Sequence, residues 1–333
     1  MMSFIKNKFN YLLFFLVFSS PLFSNNGPIK IAFWNVENLF DLQDDTLKND
    51  EDFLLGGKKN VTLDSYNLKL DNLSEVINIL DADIVGLCEV ENYFMFKELN
   101  KNLKTVYDIV HYESPDRRGI DVGVLYDKNK VMLIESQPLI VNLPTGKPTR
   151  DILYLKFKRK SFLFHVYVNH WPSKYGGTQK TIPLRIAAAQ TLRGHIDKVL
   201  VSNPDSDIIV IGDLNDEPND VSILKHLKAS IDSSEIVKNT YDLFNMMMFW
   251  HRNPKGSTYT YRGNHMVYDH IILSKGLFDK KGFKYVKNSV GVFDGYKYRQ
   301  HGGKYDGYPF RFWAGNRILG GYSDHMPVFI SIE

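Results

Sequence analysis

Cysteine is almost missing from this chain: 333 residues contain only Cys88, so no internal disulfide can form and a large core must supply the stability. Cys88 lies within Ile84-Val85-Gly86-Leu87-Cys88, where it reads as a small buried hydrophobe and not as a nucleophile. A surplus of one charge is also missing. The formal net charge of +3 permits a polyanionic substrate without demanding one. No internal repeat, coiled coil or Pro/Gly linker divides the sequence, and after the first residues no apolar run is long enough to span a bilayer. With 44% hydrophobic and 24% charged residues the composition is that of a folded globular protein, which excludes wholesale disorder.

The first 26 residues have a character of their own. Lys6 and Lys8 precede the apolar run Tyr11–Phe18, and Ser19, Ser20 and Ser24-Asn25-Asn26 follow it. This is the layout of a signal peptide over 1–26, with an uncleaved N-terminal anchor as the rival reading. The pair Leu22/Ser24 leaves the cut position open, and no cysteine stands nearby to carry a lipid. Export to the periplasm or beyond is the expectation.

From residue 28 to 333 one domain is expected. Ile29–Trp34, Ile84–Val90, Val122–Tyr126, Ile152–Phe157, Phe162–Asn169, Asp207–Gly212, Ser257–Tyr261, His270–Ser274 and Met326–Ile332 read as strands. Leu70, Leu73, Ile77 and Leu80 form the apolar stripe of one helix, and a second is expected over Pro183–Val201. Many buried strands with few helices predict layered sheets of an α/β protein covered by helices. The segment 291–321 stands apart. Its Tyr296, Tyr298, Tyr305, Tyr308, Phe310, Phe312 and Trp313 alternate with Lys297, Arg299, Lys304, Arg311 and Arg317. Such a stretch either stacks bases and meets phosphates or packs down on its own aromatics.

Strand ends carry the polar residues. Asn35 follows Phe33-Trp34, and Glu89 follows Leu87-Cys88; hard oxygen donors of this kind suit Mg²⁺. Glu37 and Glu91, two residues on, are alternative ligands by type or structural acids. A carboxylate closing a buried strand ligates a cation, meets an Arg or Lys, or is solvated. His170 ends a strand at the mouth of a Pro- and Gly-containing loop, which fits a catalytic or a packed histidine. Asp213-Leu214-Asn215 places an acid and an amide after a buried strand, able to hold a water and a phosphoryl oxygen, or to form an Asx turn. Asp269-His270 and Asp324-His325 each open a strand, and the order of residues does not choose between adjacent and crossed Asp–His pairing.

Taken in order, Phe33–Phe40, Val85–Val90, Asn169–Pro172, Ile211–Asn215, Tyr268–Ile272 and Ser323–Val328 resemble the endonuclease/exonuclease/phosphatase superfamily, from Ile31 to Ile332. The look is nearest to secreted bacterial nucleases, through Asn35-Val36-Glu37-Asn38-Leu39-Phe40 and His170-Trp171-Pro172-Ser173-Lys174. The resemblance implies a four-layer α/β sandwich of two packed mixed sheets flanked by helices, the DNase I-like fold. It implies Asn35, Glu89 and Asp324 at a Mg²⁺ ion, with Mn²⁺ or Ca²⁺ as substitutes. Asp213 would orient or deprotonate the attacking water or protonate the leaving group. Asn215 and His170 would bind the scissile phosphate, and His325, oriented by Asp269, would stabilise the transition state. Arg150 looks similar to a phosphate-contacting arginine of the DNase branch. Asp121 lies near where that branch supplies an acid to orient the first histidine, and Arg117 and Arg118 stand on the substrate side or on a solvated turn.

Fold and catalytic set are shared across substrates of this superfamily. Nucleic acid, DNA or RNA, is the expected substrate; a phosphomonoester or a sphingomyelin-like lipid is the alternative within the enzyme class. A binding protein that has lost activity is the alternative from another class. Nothing in the sequence calls for an obligate protein partner, and a monomer is expected.

Overall fold

The computed structural model describes residues 27–232, 242–279 and 281–333. The expected leader over 1–26 lies outside these described residues. In chain order the strands are β1 (Ile29–Leu39), β2 (Ile84–Val90), β3 (Asp108–His111), β4 (Asp121–Tyr126), β5 (Met132–Leu139), β6 (Ile152–Arg159), β7 (Phe162–His170) and β8 (Asp207–Asp213). They continue as β9 (Ala229–Ser230), β10 (Leu243–Asn245), β11 (Tyr259–Tyr261), β12 (Asn264–Met266), β13 (Asp269–Ser274), β14 (Gly291–Val292), β15 (Trp313–Ala314), β16 (Arg317–Ile318) and β17 (Val328–Ile332). The helices α1 (Leu63–Leu80), α2 (Tyr93–Lys101), α3 (Thr178–Ser202) and α4 (Met248–Arg252) join them.

Two mixed sheets result. One has the order β14-β17-β1-β2-β4-β3, the other β5-β6-β7-β8-β13-β10-β9. Alternation along the strands sorts side chains into layers. Ile31 and Phe33 of β1 meet Val166, Val168, Ile209 and Ile211 of the second sheet, while Ala32 and Trp34 turn outward onto Leu70, Leu73, Ile77 and Leu80 of α1. Likewise Ile208 and Val210 face Ala188, Leu192 and Ile196 of α3. Helix, sheet, sheet and helix are the four layers of the DNase I-like α/β sandwich. Gly86 lets the sheets approach: a Cβ there would lie 2.9 Å from Ile211 Cδ1 and 3.2 Å from Val168 Cγ1.

Local signals explain the helix limits. Thr62 and Ser65 form a capping box at the start of α1, and Asp81 ends it in the left-handed region at φ 45°. Helix α3 begins at Thr178, one turn earlier than the expected Pro183, because a proline in the second turn forfeits only one N–H bond near the helix start. The expected strand Ser257–Tyr261 is shorter, Tyr259–Tyr261, and belongs to a hairpin closed by Arg262-Gly263, both at positive φ. Among the described residues no helix is long and apolar enough to cross a membrane.

Topology gathers the strand ends. β1 and β2 run parallel with α1 as crossover, and β7 and β8 run parallel with α3 as crossover. Their C-terminal ends therefore share one edge. β13 and β17 run antiparallel to them and begin at that edge, so Asp269 pairs in register with Asp213.

Candidate active site

The ends of β1 and β2 are irregular where the site begins. Their pairing register shifts after Asn35 and after Cys88, and Glu37 (φ 54°), Asn38 (φ 57°) and Glu89 (φ 61°) adopt left-handed backbone. Non-glycine residues hold such angles only when the surroundings over-determine them, and bulges of this kind re-aim side chains beside functional sites. Asn215 at φ 51° does the same after β8.

Asp213 Oδ2 is the meeting point. Asn35 Nδ2 donates to it at 3.1 Å, across the two sheets. The Nε2 atoms of His170 and His325 both lie 3.8 Å away, and His170 Nε2 is also 3.8 Å from Glu89 Oε1. These gaps exceed direct hydrogen bonds, so the groups surround a point and do not saturate one another. Burial, opposed by His325 and reinforced by Asp269, pushes the Asp213 carboxyl up to about 7. Asn215 donates its backbone N–H to Asp213 Oδ1 at 2.9 Å and its side-chain amide to the Trp171 carbonyl at 3.1 Å. It is thus an Asx turn and a wall of the site at once.

His325 is paired across the chain. Its Nδ1 lies 2.8 Å from Asp269 Oδ2, and its ring stacks on Tyr259 at 4.6 Å between centroids. Burial alone would lower its affinity for a proton, but Asp269 and then Asp213 outweigh burial and raise the imidazole to about 10. Trp34 Nε1 donates to the His325 carbonyl, and Ser323 Oγ donates to the Asn35 carbonyl while accepting the His325 N–H, so β1 and the last turn are laced together. His170 is the opposite case. Burial, with Arg150, Arg118 and His325 adding, holds it well below the usual histidine range, and its buried Nδ1 has no partner among the described residues. The site holds one neutral and one charged imidazole.

The acids expected at a cation are close by. Glu89 Oε2 accepts the Asn38 N–H at 3.0 Å, and no hydrogen bond reaches Oε1 among the described residues. Asn35 Oδ1 accepts the Glu37 N–H at 3.0 Å and keeps a second lone pair. Asp324 Oδ2 is held by Arg311 Nη2 at 2.8 Å, leaving Oδ1. A carboxylate oxygen without a donor, an amide oxygen and a half-engaged carboxylate are hard ligands, and the set fits a cation of the Mg²⁺ type.

Glu37 and Glu91 serve other ends. Glu37 accepts the backbone N–H groups of Phe312 (2.6 Å) and Trp313 (3.2 Å) and faces Arg311 Nε at 3.3 Å. Burial and Asp324 push it up to about 7. Glu91 accepts the Asp41 N–H at 2.7 Å and anchors the 41–60 loop. Lys69, buried on α1, donates to the Tyr322 carbonyl at 2.9 Å, and burial lowers it to about 8 against the pull of Glu37, Asp324 and Glu89. Lys69, Tyr259, Ser323 and Trp34 have no role assigned from the sequence, and Arg311, expected among the basic residues of 291–321, meets two acids of the site here. The available sign for Lys69 was its place on the same helix face as Leu73, Val76 and Leu80.

The remaining expectations are corrected in part. Asp121 does not orient His170. It pairs with His111 Nε2 at 3.1 Å and accepts the Ser114 N–H, because it opens β4 beside β3. Arg150 is buried and committed, through Nη1 to Asp116 Oδ2 at 3.0 Å and Nη2 to the Trp171 carbonyl at 2.7 Å, with Nε unpartnered among the described residues. Arg118 is half-exposed against Asp116. Cys88 is buried, and burial raises its thiol well above the ordinary range. A cavity of about 470 Å³ lined by Lys156, His165 and Asp207 lies at the opposite ends of β7 and β8, away from this chemistry.

Among curated proteins none matches the sequence. Solved structures match the fold. The human Nocturnin catalytic domain with bound sulfate is 16% identical, with 92% of this chain and 94% of that one covered and a TM-score of 0.54. Zebrafish (D. rerio) TDP2 complexed with single-strand DNA product is 16% identical over 92% and 100% at 0.55. The mannosyl-6-phosphatase of Bacteroides thetaiotaomicron is 16% identical over 92% and 99% at 0.56. At such identities the likeness is one of architecture. The sequence profile of the endonuclease/exonuclease/phosphatase family runs over residues 30–333, nearly everything the two sheets contain, and the chain belongs to that family of metal-dependent phosphoesterases.

Proposed function

We propose that the protein is an exported nuclease that hydrolyses DNA or RNA phosphodiesters by in-line attack of water, with Mg²⁺ held by Glu89, Asn35 and Asp324. The observation that carries this reading is the ring of Asn35, His170 and His325 around Asp213 Oδ2. A bound cation supplies positive charge to a non-bridging phosphoryl oxygen. Asp213, with a carboxyl poised near neutrality, takes the proton of the attacking water. His325, kept protonated by Asp269, donates to an equatorial oxygen as negative charge develops there. His170 is neutral and donates from Nε2 once its proton sits there, with Asn215 fixing the adjoining wall. Arg150 supports that wall through the Trp171 carbonyl, and half-exposed Arg118 meets flanking phosphate.

Polymer over small ester is favoured by aromatics on loops that leave this edge. Tyr175, five residues beyond His170, is 93% exposed, and Tyr261 at the hairpin tip is 48% exposed beside Arg262. Both offer faces to unstacked bases. The small net charge is the observation favouring a phosphomonoester or lipid head group instead. Incubating the purified protein with plasmid DNA, RNA, sphingomyelin and a generic phosphodiester, with Mg²⁺ or EDTA, separates these readings. Cleavage of nucleic acid that stops with EDTA is expected. Activity indifferent to EDTA, or turnover of no phosphoester, would sink the proposal.

A further inference from the structure

His111 closes β3 and Asp121 opens β4, its antiparallel neighbour, with Glu113 on the loop between them. One donor atom from each of the three lies within 4.8 Å of the other two. His111 Nε2 is 3.1 Å from Asp121 Oδ2, and Nδ1 is 4.0 Å from Glu113 Oε1. The ring is fixed in place. Its side chain is 3% exposed and packs on Phe96 at 5.4 Å between centroids, beside Gly123, where any Cβ would collide with Phe96. Charge here is unbalanced. Among the described residues neither Glu113 nor Asp121 has an arginine or lysine within 4.0 Å, whereas Asp116 on the same loop has both Arg118 and Arg150. Burial, then the neighbouring Asp121, raises the Glu113 carboxyl, as when two acids crowd one point.

We propose that His111, Glu113 and Asp121 form a metal site apart from the strand-end centre, one nitrogen and two oxygens for a divalent ion of the zinc class. Neither Glu89 nor Asp213 supplies a donor to it. Mixed imidazole and carboxylate ligands favour zinc over Mg²⁺, which prefers oxygen alone. Zinc bonds of about 2.0–2.2 Å at near-tetrahedral angles set neighbouring donors about 3–4 Å apart, a spacing that Nε2 and Asp121 Oδ2 already have. Glu113, its side chain 58% exposed, supplies the third corner by a small swing, and water the fourth. Without metal, a proton stands between Nε2 and Oδ2; the ion replaces it and releases it to solvent. Two carboxylates and a neutral imidazole are then balanced by one divalent charge. The site clasps the mouth of the 112–120 loop, whose Asp116 holds Arg150 and Arg118 and whose Ser114 and Asp116 carbonyls accept from Lys48 Nζ. Binding there steadies the loop that carries Arg117 and Arg118.

Zinc titration against a competing chelator, in the Glu89→Gln variant so that the strand-end centre lacks a ligand, tests this. One equivalent per chain is expected. Adding His111→Gln or Glu113→Gln should weaken its binding by about tenfold or more. Zinc should also slow tryptic cleavage after Arg117 and Arg118 by about threefold or more, and should lose that effect in both double variants. Glu113→Gln, at an exposed loop position, carries the test if His111→Gln does not fold. Zinc affinity unchanged by both substitutions overturns the proposal. So does the absence of zinc binding in Glu89→Gln, which would leave the three side chains a hydrogen-bonded cluster only.

Discussion

At the scale of single residues, the site works by giving like groups unlike environments. His170 and His325 are both buried, yet only His325 has a carboxylate on its far nitrogen, and only it is raised, to about 10. Replacing Asp269 by Asn removes the first of the charges that oppose burial. The His325 imidazole should then lose its proton below about pH 7 when followed by nitrogen NMR, and kcat at pH 8 should fall by about a hundredfold or more. Retention of a titration near 10 would show that Asp269 is not the source. Asp213→Asn and His325→Ala should each lower kcat by about a thousandfold with the fold intact, measured by circular dichroism beside turnover. Asp207 shows the same physics outside the site. Burial, against the Phe283 N–H bond, raises its carboxyl from 3.8 to about 7. Between those values the folded chain binds more protons than the unfolded one, so stability falls as pH rises and the full cost is present above about 7. Asp207→Asn should therefore stabilise the protein by about 1–3 kcal/mol at pH 8 and by less at pH 5, in urea melts.

Elements place these residues, and here the sequence was legible unevenly. Unbroken apolar runs at Ile31–Trp34 and Ile208–Ile211 mark strands covered on both faces, and both are buried on both faces. The bulges at Asn35 and Glu89 left no such mark, because a left-handed Glu or Asn has no sequence signature when the strain is met by distant partners such as Asp213 and the Asn38 N–H. Gly86 was legible only as a residue inside a strand, yet it sets the spacing of the sheets at Ile211 and Val168. Gly86→Val should cost about 2–4 kcal/mol in a urea melt, whereas Gly86→Ala, whose tightest contact is the movable Ile211 Cδ1, should cost about 1. Equal costs for the two would place the tight contact elsewhere.

For the whole molecule the question is how a nearly balanced charge serves a polyanionic substrate. The surface carries Arg118, Lys174 and exposed tyrosines at one edge, and not a general basic excess. Polynucleotide cleavage should therefore fall by about tenfold or more between 50 and 200 mM salt, while hydrolysis of a small phosphodiester changes by less than about twofold. Equal salt dependence of the two rates would argue for a small natural substrate.

Sequence alone determined the class of the fold and the polar residues at its strand ends, because alternation, strand length and the order of short motifs are local properties of the chain. It left open which Asp faces which His, whether Glu37 or Glu89 has a free oxygen, and what the aromatic segment does. Those choices were made by tertiary structure. His325 meets Asp269, Glu37 is consumed by Arg311 and two backbone amides, and Asp121 turns to His111. The reason is geometric: a buried charge must find a partner, and the partner is set by which strands lie side by side, a property that distance along the chain does not encode.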